Sequence, residues 1–290
     1  MQEGSSALGR EGTKGRQRRH QVGTLATTEP IEAESAAPAL RLRGVGRRFG
    51  GLYAVRDVDL EVMPGERRAI LGPNGAGKTT LFNVISGDLT PSTGAIELFG
   101  DDVTALPARR RAKLGLARTY QKSRLFPGLS VEDNLYLATL GVERGHLRPV
   151  SLPGRDGEFR ERARRIAGAV MLGDKLDTLV GSLSHGEQRQ LEVGMARVSE
   201  PKLMLLDEPA SGLSRGERTA LTELLLQLDP SITLILIEHD MDVALRVAQK
   251  VTMMHDGRVI VEGSPAEIRA NEVVHDLYLG SSYADTEAEE

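Results

Sequence analysis

Three glycines, a lysine and a hydroxyl are spaced along Gly72-Pro73-Asn74-Gly75-Ala76-Gly77-Lys78-Thr79. That spacing fits G-x-x-x-x-G-K-[ST], a loop whose backbone can surround phosphate. The glycines let N–H groups turn inward around phosphate oxygens, and a helix beginning at the end of the loop adds its positive dipole end. Lys78 offers a point charge to the terminal phosphates, and Thr79 offers a hydroxyl to Mg²⁺. A second group lies far along the chain. Asp207 closes the apolar run Leu203 to Leu206. A carboxylate buried there is costly unless it meets a cation, and Mg²⁺ is the expected partner. Glu208 follows, placed to orient or deprotonate an attacking water. His239 follows a further apolar run, Ile232 to Ile237. Alone, such a histidine reads more readily as structural than as catalytic.

For these segments to act together, secondary structure must bring them to one place. Arg67 to Leu71 is a short apolar strand running into the glycine loop, and Lys78 to Ser86 reads as a helix. Leu203 to Leu206 and Ile232 to Ile237 read as buried strands. Helical faces recur at Phe159, Ala163, Ile166 and Val170, at Leu191, Met195 and Val198, at Leu221, Leu224, Leu225 and Leu228, and at Met241, Ala244, Leu245 and Ala248. Arg41 to Val45 and Val55 to Met63 alternate as strands do. Strands alternating with helices imply a mostly parallel sheet covered on both faces, with ligands bound at the carboxyl ends of its strands. The loop, Asp207-Glu208 and His239 are all expected at such ends.

The composition narrows the class. The chain has 290 residues, 40% of them hydrophobic, enough for a sizeable core. A formal net charge of -4 gives no bulk basic field for nucleic acid, and no nucleic-acid partner is expected. The absence of cysteine excludes disulfides and thiolate metal sites. No apolar run reaches the roughly 18 residues of a spanning helix, so any membrane role needs another polypeptide. Residues 1–38 read as a disordered tail with a basic cluster from Arg10 to His20, and residues 281–290 as an acidic tail.

With five further motifs in order, the chain resembles the ATPases of ATP-binding cassette (ABC) transporters. The loop matches their Walker A motif, and Leu183-Ser184-His185-Gly186-Glu187-Gln188 resembles their signature, usually written LSGGQ. Gln121 resembles the Q-loop glutamine, Ala210 to Ser214 the D-loop, and His239 the switch histidine. Phe49, 23 residues before Gly72, stands where the family keeps an aromatic that stacks on adenine. The resemblance implies an α/β phosphate-loop (P-loop) cassette over residues 39–280. It would have a RecA-like core, an antiparallel β subdomain and an α-helical signature subdomain at about 121–200. It implies ATP hydrolysis with Mg²⁺ held by Thr79, Gln121 and Asp207. Glu208, His239, Gln121 and Lys78 would carry the catalysis. Phe49, the loop from Gly72 to Thr79, Thr80 and Gln121 would contact nucleotide. Ser184, Gly186 and Glu187 would contact the nucleotide of a facing subunit, the signature glycine lying just before a helix. Two such subunits, this one with a paralogue or with itself, would pack head to tail around two ATPs.

Finer segments resemble one branch, the importers of branched-chain amino acids, urea and short amides. They are Phe49 to Val55, Arg118-Thr119-Tyr120-Gln121, Arg124 to Pro127, Glu238-His239-Asp240-Met241 and Leu277-Tyr278-Leu279-Gly280. His185 replaces a signature glycine, and Ser214 stands where the D-loop often has aspartate. The branch implies permease partners meeting the region from Gln121 to Asn134, an extracytoplasmic solute-binding protein, and a peripheral position on the cytoplasmic face of the membrane. The alternatives are an exporter ATPase of the lipopolysaccharide-export type and a soluble non-transport ABC ATPase. Only about a hundred residues separate Lys78 from Ser184, without the long coiled coil of chromosome-maintenance members.

Overall fold

The computed structural model describes residues 37–120, 124–144, 156–274 and 277. The elements in chain order are β1 (Leu40–Phe49), β2 (Leu52–Val62), β3 (Arg67–Leu71), α1 (Lys78–Ser86), β4 (Thr93–Leu98), β5 (Asp101–Asp102), α2 (Ala108–Lys113) and β6 (Leu116–Arg118). There follow α3 (Val131–Arg144), α4 (Asp156–Ala169), α5 (His185–Arg197), β7 (Leu203–Asp207), α6 (Arg215–Leu226), β8 (Thr233–Ile237), α7 (Met241–Val247), β9 (Lys250–His255), β10 (Arg258–Gly263) and α8 (Pro265–Arg269).

Two sheets organise the described residues. The smaller is antiparallel, in the order β2-β1-β4-β5. Alternation turns Leu40, Leu42, Val45, Val55, Val58, Leu60 and Val62 to one buried face. The larger sheet has the order β10-β9-β3-β8-β7-β6, parallel throughout except for the edge strand β10.

The central strands are apolar at nearly every position because each feeds two cores. On β7, Leu203 and Leu205 pack with the small sheet and α1, while Met204 and Leu206 pack with the helices on the opposite face. On β8, Ile235 and Ile237 face the first core, and Leu234 and Leu236 the second. A sheet buried on both faces loses the polar positions of a one-sided strand.

Strand order decides what meets. β3, β8 and β7 are neighbours, with Ile70 opposite Ile237 and Ile237 opposite Asp207. The loop leaving β3, the pair Asp207-Glu208 and the segment Glu238-His239 therefore emerge side by side. Helix α1 is pinned at its far end by Arg111, whose buried guanidinium donates to Val84 O and Ile85 O at 2.7 Å each. Burial lowers the Arg111 pKa to about 10. Among the described residues no helix is long and apolar enough to cross a membrane.

Candidate nucleotide site

The loop between β3 and α1 closes tightly on its neighbours. Gly72 has φ 150°, and a Cβ there would lie 2.2 Å from Met254 O. Gly77 caps α1 in the left-handed region at φ 96°, where a Cβ would lie 2.2 Å from Ala54 O. No side chain caps α1, and its first turn carries no acid, so the positive helix end is presented to the loop. Lys78 is 4% exposed, and its ammonium donates to Gly72 O at 2.5 Å and Pro73 O at 3.0 Å. Burial lowers its pKa, and the charges of Glu208 and Asp207 oppose that shift.

A cavity of about 190 Å³ at this place is lined by the loop from Asn74 to Thr80, Ala54, Glu208 and His239. Glu208 sits at φ 50°, a left-handed conformation that costs a non-glycine residue energy and recurs at functional sites. Its backbone N–H donates to Ile237 O at 3.0 Å, which locks the end of β7 to β8. Its Oε1 lies 2.6 Å from His239 Nε2. Two residues just beyond the ends of neighbouring strands thus make one acid–imidazole pair at the wall of the cavity.

Asp207 is 2% exposed, and the cation that it meets among the described residues is Arg118, 2.9 Å from Oδ2. The expectation named Mg²⁺; the geometry adds a guanidinium. Arg118 also donates to Asn83, Ser86 and Asp88, which ties the strand-end carboxylate to α1. Burial raises the Asp207 pKa, and the Arg118 bond and charge counter it. Asp207 Oδ1 is buried with no hydrogen-bond partner among the described residues, an arrangement rare in proteins and suited to a hydrated cation. With the hydroxyl of Thr79 on the cavity wall, the donor set fits Mg²⁺.

Phe49 ends β1 and is 45% exposed, with the Arg47 guanidinium 4.7 Å from its ring centroid. Gln121 lies outside the described residues, as do residues 1–36, most of the Leu140 to Arg155 stretch, and Tyr278 to Glu290. Asn134 is a buried structural residue, bonded through its amide to Phe126 and Ser130 backbone atoms.

Residues of the signature segment are not among those that line that cavity. Ser184 is the N-cap of α5, its side chain accepting from Glu187 N, and Gly186 lies within the first turn rather than before the helix. The expected helix start is displaced because the capping box formed by Ser184 and Glu187 lets the helix begin at His185. The Glu187 carboxylate accepts from Ser184 N at 2.9 Å and pairs with Lys175. Ser214, which stands where the D-loop often has aspartate, caps α6 within its own chain and donates to Glu217 Oε2 at 2.8 Å.

Two residues given no role from the sequence enter here. Arg118 belonged to a quoted motif, so its identity was visible but its partner was not. Glu238, 1% exposed, accepts from Ala210 N at 2.8 Å and His239 N at 3.3 Å, joining the start of the D-loop to the switch histidine. It too stood in a quoted segment, Glu238-His239-Asp240-Met241, so its identity was visible and its partners were not.

A phosphate-type loop at the carboxyl edge of a parallel sheet, with an acid and a histidine converging from neighbouring strands, defines a nucleotide-binding α/β protein. The chain belongs to the ABC transporter ATP-binding family. The family model described as ABC transporter matches residues 55–211, and one described as branched-chain amino acid ATP-binding cassette transporter matches residues 258–284. The chain is 36% identical over 252 residues to the high-affinity branched-chain amino acid transport ATP-binding protein LivG of Escherichia coli K12, covering 84% of this chain and 99% of that protein. It is 34% identical over 256 residues to BraF of Pseudomonas aeruginosa, with the same coverage of 84% and 99%. Among solved structures it is similar to an ABC transporter ATP-binding cassette in its ADP conformation, with TM-score 0.75, 28% identity, and 84% and 99% of the two chains covered. The protein is an ABC-type transport ATPase that binds nucleotide and works with membrane permeases.

Proposed function

We propose that this chain is the ATP-hydrolysing subunit of an importer for branched-chain amino acids or a related small solute such as urea or a short amide. The names of the relatives and the match near the C-terminus support the solute class. The chain would lie on the cytoplasmic face of the membrane, beneath permeases served by an extracytoplasmic binding protein.

The observation that carries the catalytic reading is the 2.6 Å contact between Glu208 and His239 at the cavity wall. ATP lies along the loop with its adenine on Phe49 and its phosphates against the N–H groups from Gly75 to Thr80 and the Lys78 ammonium. Thr79, Asp207 through Oδ1, and Gln121 would hold Mg²⁺, which supplies charge neutralisation at the phosphates. Glu208 orients the attacking water and accepts its proton, and His239 fixes the Glu208 carboxylate and reaches toward the γ-phosphate. Ser184 and Gly186 serve the γ-phosphate of a second subunit packed head to tail, so the complete site is shared.

Glu208→Gln tests this reading. Hydrolysis falls at least about 100-fold while ATP binding by calorimetry persists, because the general base is lost and the phosphate cradle is kept. Radiolabelled leucine uptake in cells lacking the gene returns with the wild-type chain and not with the variant. Undiminished turnover removes Glu208 from its role; uptake unaffected by loss of the gene removes the solute assignment.

A further inference from the structure

A carboxylate of this same chain occupies the donor that the shared-site reading reserves for phosphate. Gly186 N–H donates to Glu217 Oε1 at 2.9 Å. A Cβ on Gly186 would lie 2.7 Å from Glu217 Cγ and 2.8 Å from its Cβ, so the glutamate side chain lies flat against the signature glycine. The other oxygen, Oε2, accepts from Ser214 N at 3.0 Å and from the Ser214 hydroxyl at 2.8 Å. Capping of α6 needs only that second oxygen. Oε1 serves α5. Gly186 N–H is the leading cause that lowers the Glu217 pKa to about 2, followed by Ser214 and then the Ser184 side chain. At neutral pH an anion therefore rests on the first turn of the signature helix.

We propose that Glu217 is an internal counter-anion of the signature turn, which must leave Gly186 before the γ-phosphate of a facing subunit can bind there. The inference rests on the shared-site reading. One N–H cannot serve two anions at once, and a carboxylate beside an incoming phosphate repels it. Glu217 is also held by Ser214, at the end of the segment that begins at Glu208 and Ala210. Its release frees the signature turn and alters the segment leading back to the Glu208–His239 pair. Glu217 is thus a positioning residue that sets the ATP level at which two subunits close.

The test uses the full chain carrying Glu208→Gln, with ATP-dependent association, with itself or with its partner ATPase, followed by analytical ultracentrifugation. Adding Glu217→Gln keeps the side-chain length and an acceptor for Ser214 but removes the charge. The ATP midpoint for association falls at least about 5-fold, as expected when a charged hydrogen bond becomes a neutral one. Glu217→Asp, too short to span from Ser214 to Gly186, shifts the midpoint in the same direction. A midpoint unchanged or raised in both variants overturns the proposal. A purely structural cap predicts a lower melting temperature with no gain in association, so melting is recorded alongside. Ser184→Ala in the same background separates the two claims. If it abolishes association while the Glu217 variants shift nothing, only the counter-anion falls. If it leaves association intact, or if Glu208→Gln does not associate at saturating ATP, the shared-site reading fails and takes the counter-anion with it.

Discussion

Helices α1 and α5 both begin where a phosphate is expected, yet their first turns are built in opposite ways. At α1 the N-cap is Gly77, no side chain caps the helix, and the first turn has no acid. At α5 the N-cap Ser184 and Glu187 form a reciprocal box, and Glu217 from α6 takes the Gly186 N–H. The electrostatics of the two helix ends are alike, each a positive pole of N–H groups. The difference lies in what the chain does with them. The α1 end carries no acid of the chain's own, and Lys78 deepens its positive field, which suits the ligand that the proposed function puts there. The α5 end is neutralised by the chain's own acids, which suits a surface that acquires its phosphate only when another subunit arrives.

The sharpest way to break this contrast is to close the open end. Gly77→Ala places a Cβ 2.2 Å from Ala54 O at φ 96°, so the loop must shift or unwind. Calorimetry is expected to show ATP affinity lowered by about 100-fold or more, the effect of misplacing several phosphate donors at once. Retained affinity would show that the glycine cap is not what keeps α1 available.

The link between the two regions gives the next effect. Glu238 bonds both Ala210 N and His239 N, and burial raises its pKa from 4.5 to about 7. Between those values the folded chain binds more protons at Glu238 than the unfolded chain does. The stabilisation is full below the unfolded pKa and is lost as pH rises through the folded one. It amounts to about 3 kcal/mol across the window. Glu238→Gln is expected to flatten the fall in melting temperature between pH 4.5 and 7. An unaltered pH profile would detach Glu238 from that titration.

The smallest effect sharpens the other side. Glu187→Ala removes half of the α5 capping box and is expected to cost about 1 kcal/mol, read as a melting shift of a few degrees. ATP affinity of the isolated chain is expected to stay unchanged, because the proposed function puts the chain's own nucleotide at α1. A matching loss of affinity would mean that α5 serves nucleotide in its own chain.

Much of the core was legible. The strand into the loop and helix α1 fall where the pattern placed them, at Arg67–Leu71 and Lys78–Ser86. β7 and β8 differ from their expected spans by a residue at one end. β6 was not seen, since Leu116–Arg118 is too short to show a period and exists through its pairing with β7. β9 was missed because Lys250–His255 mixes two methionines into a run with no alternation, buried as it is between β3 and β10. β1 runs on to Phe49 through register shifts that no simple alternation describes.

The site divides along the same line. By itself the sequence determined the residues adjacent in the chain, namely the glycine loop with Lys78 and Thr79, the pair Asp207-Glu208, and the serine that starts α5. Their chemistry is local, carried by residue type and spacing. Tertiary structure alone decided that Arg118 reaches Asp207, that Glu238 holds Ala210, and that Glu217 covers Gly186. Each of these bonds joins segments whose separation is set by sheet order and helix packing, and a contact of that kind leaves no periodic trace in the residues that make it.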